Sequence, residues 1–200
     1  MGKLQVAIAL LPDTELANHL SAAALAAHAA SHGRLRWPRL PPHLSLKQPF
    51  AIESLPEVEQ AFDQLAFEVG PLSVTLGTVE VQPPSLGSPE AVVWVGVEAD
   101  PALMSLEQRI ERELSGAAKE AASPLVSRAY RFHVTLGFLP AASLGDSGSL
   151  PQLAGTLATF PELGLFVYDG LPRAGWQCML YARRSLSRAL STPPIAASNR

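Results

Sequence analysis

Apolar positions along the chain follow two spacings, and the switches between them divide it into elements. Leu4 to Leu11 reads LQVAIALL, a nearly continuous apolar run ended by Pro12. A run this short and partly β-branched predicts a buried strand. Asp13 or Thr14 is placed to cap a helix through the alanine-rich stretch to about Ser31, and Gly33 stops it. Trp37 to Pro42 is a proline-punctuated connection, and Pro42 biases its neighbours to extended geometry, so a strand is predicted over His43 to Gln48. Pro56 to Val69, with Val58, Phe62, Leu65 and Phe67, predicts a second helix. Leu72 to Val81 alternates as a strand does, Pro83 to Pro89 is a loop, and Ala91 to Glu98 (AVVWVGVE) is a further buried strand. Leu103, Leu106, Ile110 and Leu114 keep helical spacing, which predicts a helix from Pro101 to about Ala118. Strands are predicted over Phe132 to Leu139, Leu163 to Tyr168 and Trp176 to Arg183. Between the first two lie a Gly/Ser loop, Leu144 to Ser149, and a short helix to Phe160. Ser191 to Arg200 is expected to be a disordered tail.

The order repeats. Strand, proline-started helix, histidine-bearing strand, helix and strand occur in each half. Pro12 and Pro101 stand 89 positions apart, and His43 and His133 stand 90 apart. A period this long is no solenoid repeat. It predicts two similar lobes, roughly 4–82 and 91–184, facing each other about a pseudo-twofold axis within one domain over residues 1–190. Such an axis places equivalent residues opposite one another.

Composition narrows the classes. With 48% apolar and 16% charged residues in 200, the chain can bury a core and is not intrinsically disordered. The single cysteine, Cys178, excludes a disulfide scaffold and the Cys-rich zinc modules. Leu4 to Leu11 is too short to span a bilayer, and a lone Lys3 with no small-residue cleavage site makes no signal peptide. Val6 stands where a myristoylation signal needs Ser or Thr. The expectation is a cytoplasmic monomer with no membrane partner. The net charge of −3 argues against a broad nucleic-acid-coating surface. Yet Leu16 to Ile52 and Ala121 to Gly145 lack Asp and Glu, and they hold Arg34, Arg36, Arg39, Lys47, Arg128 and Arg131. Two positive stretches in an acidic chain suit a local anion site.

Those two stretches carry the chemistry. They read Pro-His43-Leu-Ser45-Leu and Phe-His133-Val-Thr135-Leu. On a strand, residues two apart point to one face, so each strand presents an imidazole and a hydroxyl together while Leu44, Leu46, Val134 and Leu136 pack behind. The same parity puts Lys47 with His43 and Arg131 with His133. Across a twofold cleft the set is two imidazoles, two hydroxyls and one or two cations. Two histidines form an acid and base pair. Hydroxyls and cations stabilise anionic oxygens whose charge builds in a transition state. A phosphodiester is the natural substrate, and neither a cofactor nor a metal is expected, since the set lacks acidic ligands for magnesium. One His-x-Ser/Thr tripeptide is weak evidence; two at equivalent positions of a repeat are strong.

The paired motifs, with VAIALLPD, RWPRLPPHLSLKQPF, VVWVGVEA and FHVTLGFLP, resemble the two-histidine (2H) phosphoesterase superfamily, in its bacterial 2′-5′ RNA ligase-like branch, over roughly residues 4–184. The resemblance implies an α+β, bilobal, duplicated fold, with two antiparallel sheets facing a central cleft and helices outside. It implies hydrolysis of RNA 2′,3′-cyclic phosphate ends to 2′-phosphates, or reversible 2′-5′ ligation. By that analogy His43 protonates the leaving 3′ oxygen, His133 activates water, and Ser45 and Thr135 hold the phosphate. Lys47 matches the basic position after the first motif. The family often has an arginine shortly after the second, where this chain has Gly137-Phe138-Leu139, and Arg131 is the candidate replacement. Alternatives of other kinds are a phosphoesterase acting on a small cyclic nucleotide, such as a cyclic phosphate of ADP-ribose, and a nucleotide-binding module without turnover.

Several residues have two readings. Trp37 either stacks on a nucleobase or caps the core, and Arg39, with Arg34 and Arg36, either meets phosphate or is a loop charge. Tyr130 sits at a strand edge from which it can reach the cleft, while Phe132 is expected in the core. His19, and His28 with His32, read as a solvated helix face, and Cys178 reads as a small buried hydrophobe. Arg183, Arg184 and Arg188 read as a solvated face.

Overall fold

The computed structural model describes residues 4–84, 90–114, 131–140, 150–169 and 177–187. Among these the elements run β1 (Gln5–Leu11), α1 (Thr14–Ala30), β2 (Leu44–Ala51), α2 (Leu55–Glu68), β3 (Leu72–Gln82), β4 (Glu90–Val97), α3 (Pro101–Leu114), β5 (His133–Pro140), β6 (Leu157–Phe160), β7 (Glu162–Tyr168) and β8 (Cys178–Ser185). The fold is α+β. The strands pair antiparallel in the order β6-β3-β4-β5-β2-β1-β7-β8. The two expected sheets thus meet as two four-stranded halves, joined through the Leu44–Val134 pair of β2 and β5. The order is palindromic about that pair: β5, β4 and β3 run outward on one side as β2, β1 and β7 do on the other. Each half therefore takes its third strand from the other repeat. The spatial halves are not the sequence halves 4–82 and 91–184.

Local chemistry repeats as well. The Asp13 side chain accepts from the Leu16 N–H at 2.8 Å and starts α1. The Asp100 side chain accepts from the Leu103 N–H at 2.9 Å and starts α3. Gly33, at φ +77°, donates its N–H to the His28 carbonyl at 2.9 Å and ends the α1 turn in the left-handed region. Leu16, Leu20, Ala23, Ala24 and Ala27 form the buried stripe of α1; Val58, Phe62, Leu65 and Ala66 that of α2; and Leu103, Leu106, Ile110 and Leu114 that of α3. With one face of the sheet they make the main core. Burying each Leu or Phe there contributes roughly 1.5–3 kcal/mol. The other face carries a smaller cluster of Ala7, Ala9, Leu11 and Phe166, with Leu40, Tyr168 and Leu180 against it.

One predicted element is corrected. No helix forms over residues 150–160. Gly155 adopts φ +83° and donates to the Leu76 carbonyl at 2.8 Å. Leu157–Phe160 then pairs with β3, and Ala158 and Phe160 are buried in alternation. The open edge of β3 satisfies this segment's backbone better than a four-residue helical turn. The Leu144 to Ser149 loop, the end of the third helix beyond Leu114, and the 191–200 tail lie outside the described residues. Among those described, no helix is long and apolar enough to cross a membrane.

Candidate active site

Both motif strands carry the same irregularity. On β1, Ala9 pairs with Ser45 but Ile8 with Lys47. On β4, Trp94 pairs with Thr135 but Val93 with Gly137. Leu46 and Leu136 are the extra residues of two equivalent β-bulges, and each is 2% exposed. A bulge resets side-chain parity. Residues at i, i+2 and i+5 of each motif, namely His43, Ser45 and Gln48, and His133, Thr135 and Phe138, consequently line one cavity of about 680 Å³. The Leu44–Val134 register, continued one residue each way, sets His43 across from Thr135 and Ser45 across from His133.

The histidines are held alike. His43 Nδ1 lies 2.8 Å from the Pro41 carbonyl oxygen, and His133 Nδ1 lies 2.8 Å from the Arg131 carbonyl oxygen. A carbonyl only accepts, so Nδ1–H is the donor in each ring and Nε2 is left for the substrate. An aromatic ring backs each imidazole: Phe166 at 4.9 Å from His43 and Trp94 at 4.2 Å from His133. Burial pushes the pKa of His43 below the usual value against the opposing pull of the Pro41 carbonyl. Burial does the same to His133, and repulsion from His43 whenever that ring is protonated, and from Arg131, adds to it. Both rings rest neutral at neutral pH. Each can take a proton there, and the one that gives a proton acquires it under the field of a bound anion.

The other expected site residues divide. Arg39 lines the cavity, as do Arg36, Ala7, Leu40, Tyr168 and Cys178. Lys47 does not join His43: the bulge at Leu46 turns it to the helix side, where its ammonium pairs with Glu111 of α3 and lies 5.0 Å over the Phe50 ring. Arg131 does not join His133. It precedes the first residue of β5, so strand parity does not reach it. Its guanidinium pairs with Glu80 at 3.1 Å and lies 5.7 Å over Trp94. Trp37 stacks on His28 at 4.7 Å and is not among the cavity residues. His28 is not on a fully solvated helix face: its Nδ1 meets the Leu35 carbonyl at 2.8 Å and pins the connection into β2. His19 and His32 are exposed, and Phe132 is buried, as expected. Arg183 and Arg184 pair with Glu162 and Asp63 at the surface. Tyr130 and Arg128 lie outside the described residues. Cys178 is half-buried beside Tyr168, and burial pushes its thiol up, away from the thiolate a nucleophile needs. Among the described residues, no three His, Cys, Asp or Glu side chains stand together to hold a metal.

Gln48 and Phe138 were not legible as site residues. Leu46 and Leu136 continue the apolar alternation, so nothing in the pattern marks the bulge that turns the fifth position inward. Phe138 is paired with Arg36 in an isolated antiparallel bridge. The two residues exchange backbone N–H to carbonyl bonds of 2.9 Å, and the guanidinium lies 4.8 Å over the ring. Arg36 also pairs with Glu90, which raises its pKa.

The model of the 2′-5′ RNA ligase superfamily matches residues 12–161. Comparison with curated protein sequences gives no match. Among solved structures, TT0787 of Thermus thermophilus is similar with a TM-score of 0.68 at 18% identity, over 92% of this chain and 98% of that one. Escherichia coli LigT complexed with NADP+ is similar with a TM-score of 0.58 at 18% identity, over 94% and 99% of the two chains. At these identities the likeness to the solved structures is one of fold.

Proposed function

Since this chain belongs to the 2′-5′ RNA ligase superfamily, and so to the two-histidine phosphoesterases, we propose that it hydrolyses 2′,3′-cyclic phosphate ends of RNA to 2′-phosphates without a metal. The observation that carries the reading is the matched pair of Nδ1-to-carbonyl bonds, which commits both Nε2 atoms to one cavity with two hydroxyls. His133 Nε2 takes a proton from water, and the water oxygen bonds to phosphorus. The bond from phosphorus to O3′ breaks, and the protonated His43 Nε2 gives its proton to O3′. Ser45 and Thr135 donate to the non-bridging oxygens, and Arg39 supplies positive charge at the rim, where the Glu90-paired Arg36 also lies. Bound phosphate raises the pKa of His43 and lets it hold the proton it donates. A 5′-hydroxyl in place of water gives a 2′-5′ linkage by the same steps.

The test is incubation, with EDTA, of a short RNA ending in a 2′,3′-cyclic phosphate. Wild type is expected to give the 2′-phosphate, and His43→Ala and His133→Ala each to lose at least about a thousandfold in rate. No turnover by wild type overturns the assignment, and measurable binding without turnover points to a nucleotide-binding module. A second reading, a small cyclic nucleotide as substrate, is favoured by the cations: Arg39 and the Glu90-paired Arg36 line the cavity, whereas Lys47 and Arg131 lie away from it. A kcat/KM for a mononucleoside cyclic phosphate at least equal to that for the RNA identifies that case.

A further inference from the structure

Resting on the phosphodiester reading above, we propose that the nucleobase of the substrate sits on the β1–β7–β8 side of the histidine pair, over Ala7 and between Leu40 and Tyr168. The palindromic sheet gives the cleft two equivalent places beside the histidines, and this chain fills one of them. Trp94 is the register partner of Thr135, and Ala9 is the register partner of Ser45. An indole thus occupies on the β4 side the place that a methyl group occupies on the β1 side, and it packs on His133 at 4.2 Å. The next strand outward repeats the contrast. Trp94 pairs with Glu80, and Ala9 pairs with Gly164. Hydrogen bonding from Thr78, with the Arg131 charge nearby, holds the Glu80 carboxyl below the usual range, so one side presents an indole and the Arg131–Glu80 ion pair. The other presents Ala9 at the equivalent place, with the Phe166 ring behind His43.

The cavity follows this asymmetry. Ala7, Leu40 and Tyr168 line it with the two histidines, whereas Trp94 and Glu80 do not. Its chemistry there fits an uncharged planar ring better than a second phosphate. The Ala7 and Leu40 surfaces are apolar. The Tyr168 phenol is pushed further up by burial and stays neutral. The cavity's arginines, Arg36 and Arg39, belong to the connection ahead of β2. Gln48, at the same cavity, carries a donor and an acceptor that meet the edge of any base. A base so placed sets its ribose and the leaving O3′ on the His43 side and leaves the Trp94-backed His133 to the water. The near-symmetry of the two histidines is thereby broken by Trp94 against Ala9.

Steady-state kinetics on adenosine 2′,3′-cyclic phosphate and on base-free methyl riboside 2′,3′-cyclic phosphate test the placement. Ala7→Phe is expected to raise KM for the adenosine substrate about tenfold or more, the scale of one stacked base. Both parameters for the base-free substrate stay within about threefold, and so does kcat for the adenosine one. Tyr168→Leu, which adds no bulk, is expected to move KM the same way if Ala7→Phe fails to fold. Unchanged adenosine KM in both variants overturns the placement, as does a base-selective KM rise in Trp94→Ala alone. Should wild type turn over neither substrate nor an RNA ending in a 2′,3′-cyclic phosphate, the phosphodiester reading fails. The subsite is then judged by calorimetric binding of adenosine 2′-monophosphate: a tenfold weaker Kd in the variants supports it, and equal Kd overturns it.

Discussion

Gly137 is the point where β5 has no room for a side chain, and Gly137→Ala measures how tightly the connection into the cleft is held. A Cβ at Gly137 would lie 2.6 Å from Leu35 Cγ and 2.8 Å from both Leu35 methyl carbons. Leu35 is 2% exposed and has little freedom to yield. Its N–H donates to Ser31 Oγ at 3.1 Å, and its carbonyl accepts from His28 Nδ1 at 2.8 Å. The next residue, Arg36, is bonded to Phe138 in both directions. Overpacking of this kind costs about 1–3 kcal/mol. Replacing a glycine recovers about 0.5–1 kcal/mol by restricting the unfolded chain. The net expectation is a loss of about 1–2 kcal/mol in urea unfolding at unchanged m. Leu35→Ala alone is expected to cost about 2–5 kcal/mol through its cavity. In the double variant the new methyl enters that cavity, so the double loss falls short of the two single losses together by at least about 1 kcal/mol. A Gly137→Ala protein as stable as wild type, with a double variant that is simply additive, would refute the packing described for Leu35. Because Arg36 follows Leu35 at the cavity rim, KM for a cyclic phosphate substrate is also expected to rise.

Lys47→Met is expected to leave kcat/KM within about threefold, and Ser45→Ala to lower it by about a hundredfold, the scale of one donor to a developing oxyanion; equal losses would place the lysine in the cleft and contradict the bulge. The histidine pKa values, both lowered, put the bell-shaped profile of kcat/KM on the acid side of about pH 6.5, and an optimum above pH 7 opposes that reading. The same shifts bear on stability. Below about pH 6.5 the unfolded chain binds protons that the folded histidines refuse, so their contribution is complete above that pH and falls as pH drops toward the lowered folded values. A His43→Gln, His133→Gln protein is expected to show a flatter fall in Tm between about pH 6.5 and 5, and an unchanged slope counts against the burial of these rings.

The element order and the paired motifs were legible because periodicity and repetition are properties of the chain itself. Pro12 and Pro101, and His43 and His133, announce the duplication before any contact is known. What parity missed was decided by partners distant in sequence. The bulges at Leu46 and Leu136 exist because β1 and β4 set the register, and they moved Lys47 out of the cleft and Gln48 and Phe138 into it. Arg131 was drawn off by Glu80, a residue 51 positions away. The expected helix before Phe160 gave way to β6 because β3 left an open edge. Cavity-lining Tyr168 and Ala7 belong to strands that carry neither motif.

The exchange of third strands has a consequence for synthesis. A chain emerging amino end first completes β1 and β2 while Val6 still awaits Val167 and Ala9 awaits Gly164. Until β7 leaves the ribosome, the strand beside the first histidine has one bare edge, and its Ala7 and Ala9 side chains lack the Phe166 ring they later pack beside. The amino half alone therefore ends in an unpaired strand edge rather than as a finished lobe, and an edge of that kind is open to pairing with another chain.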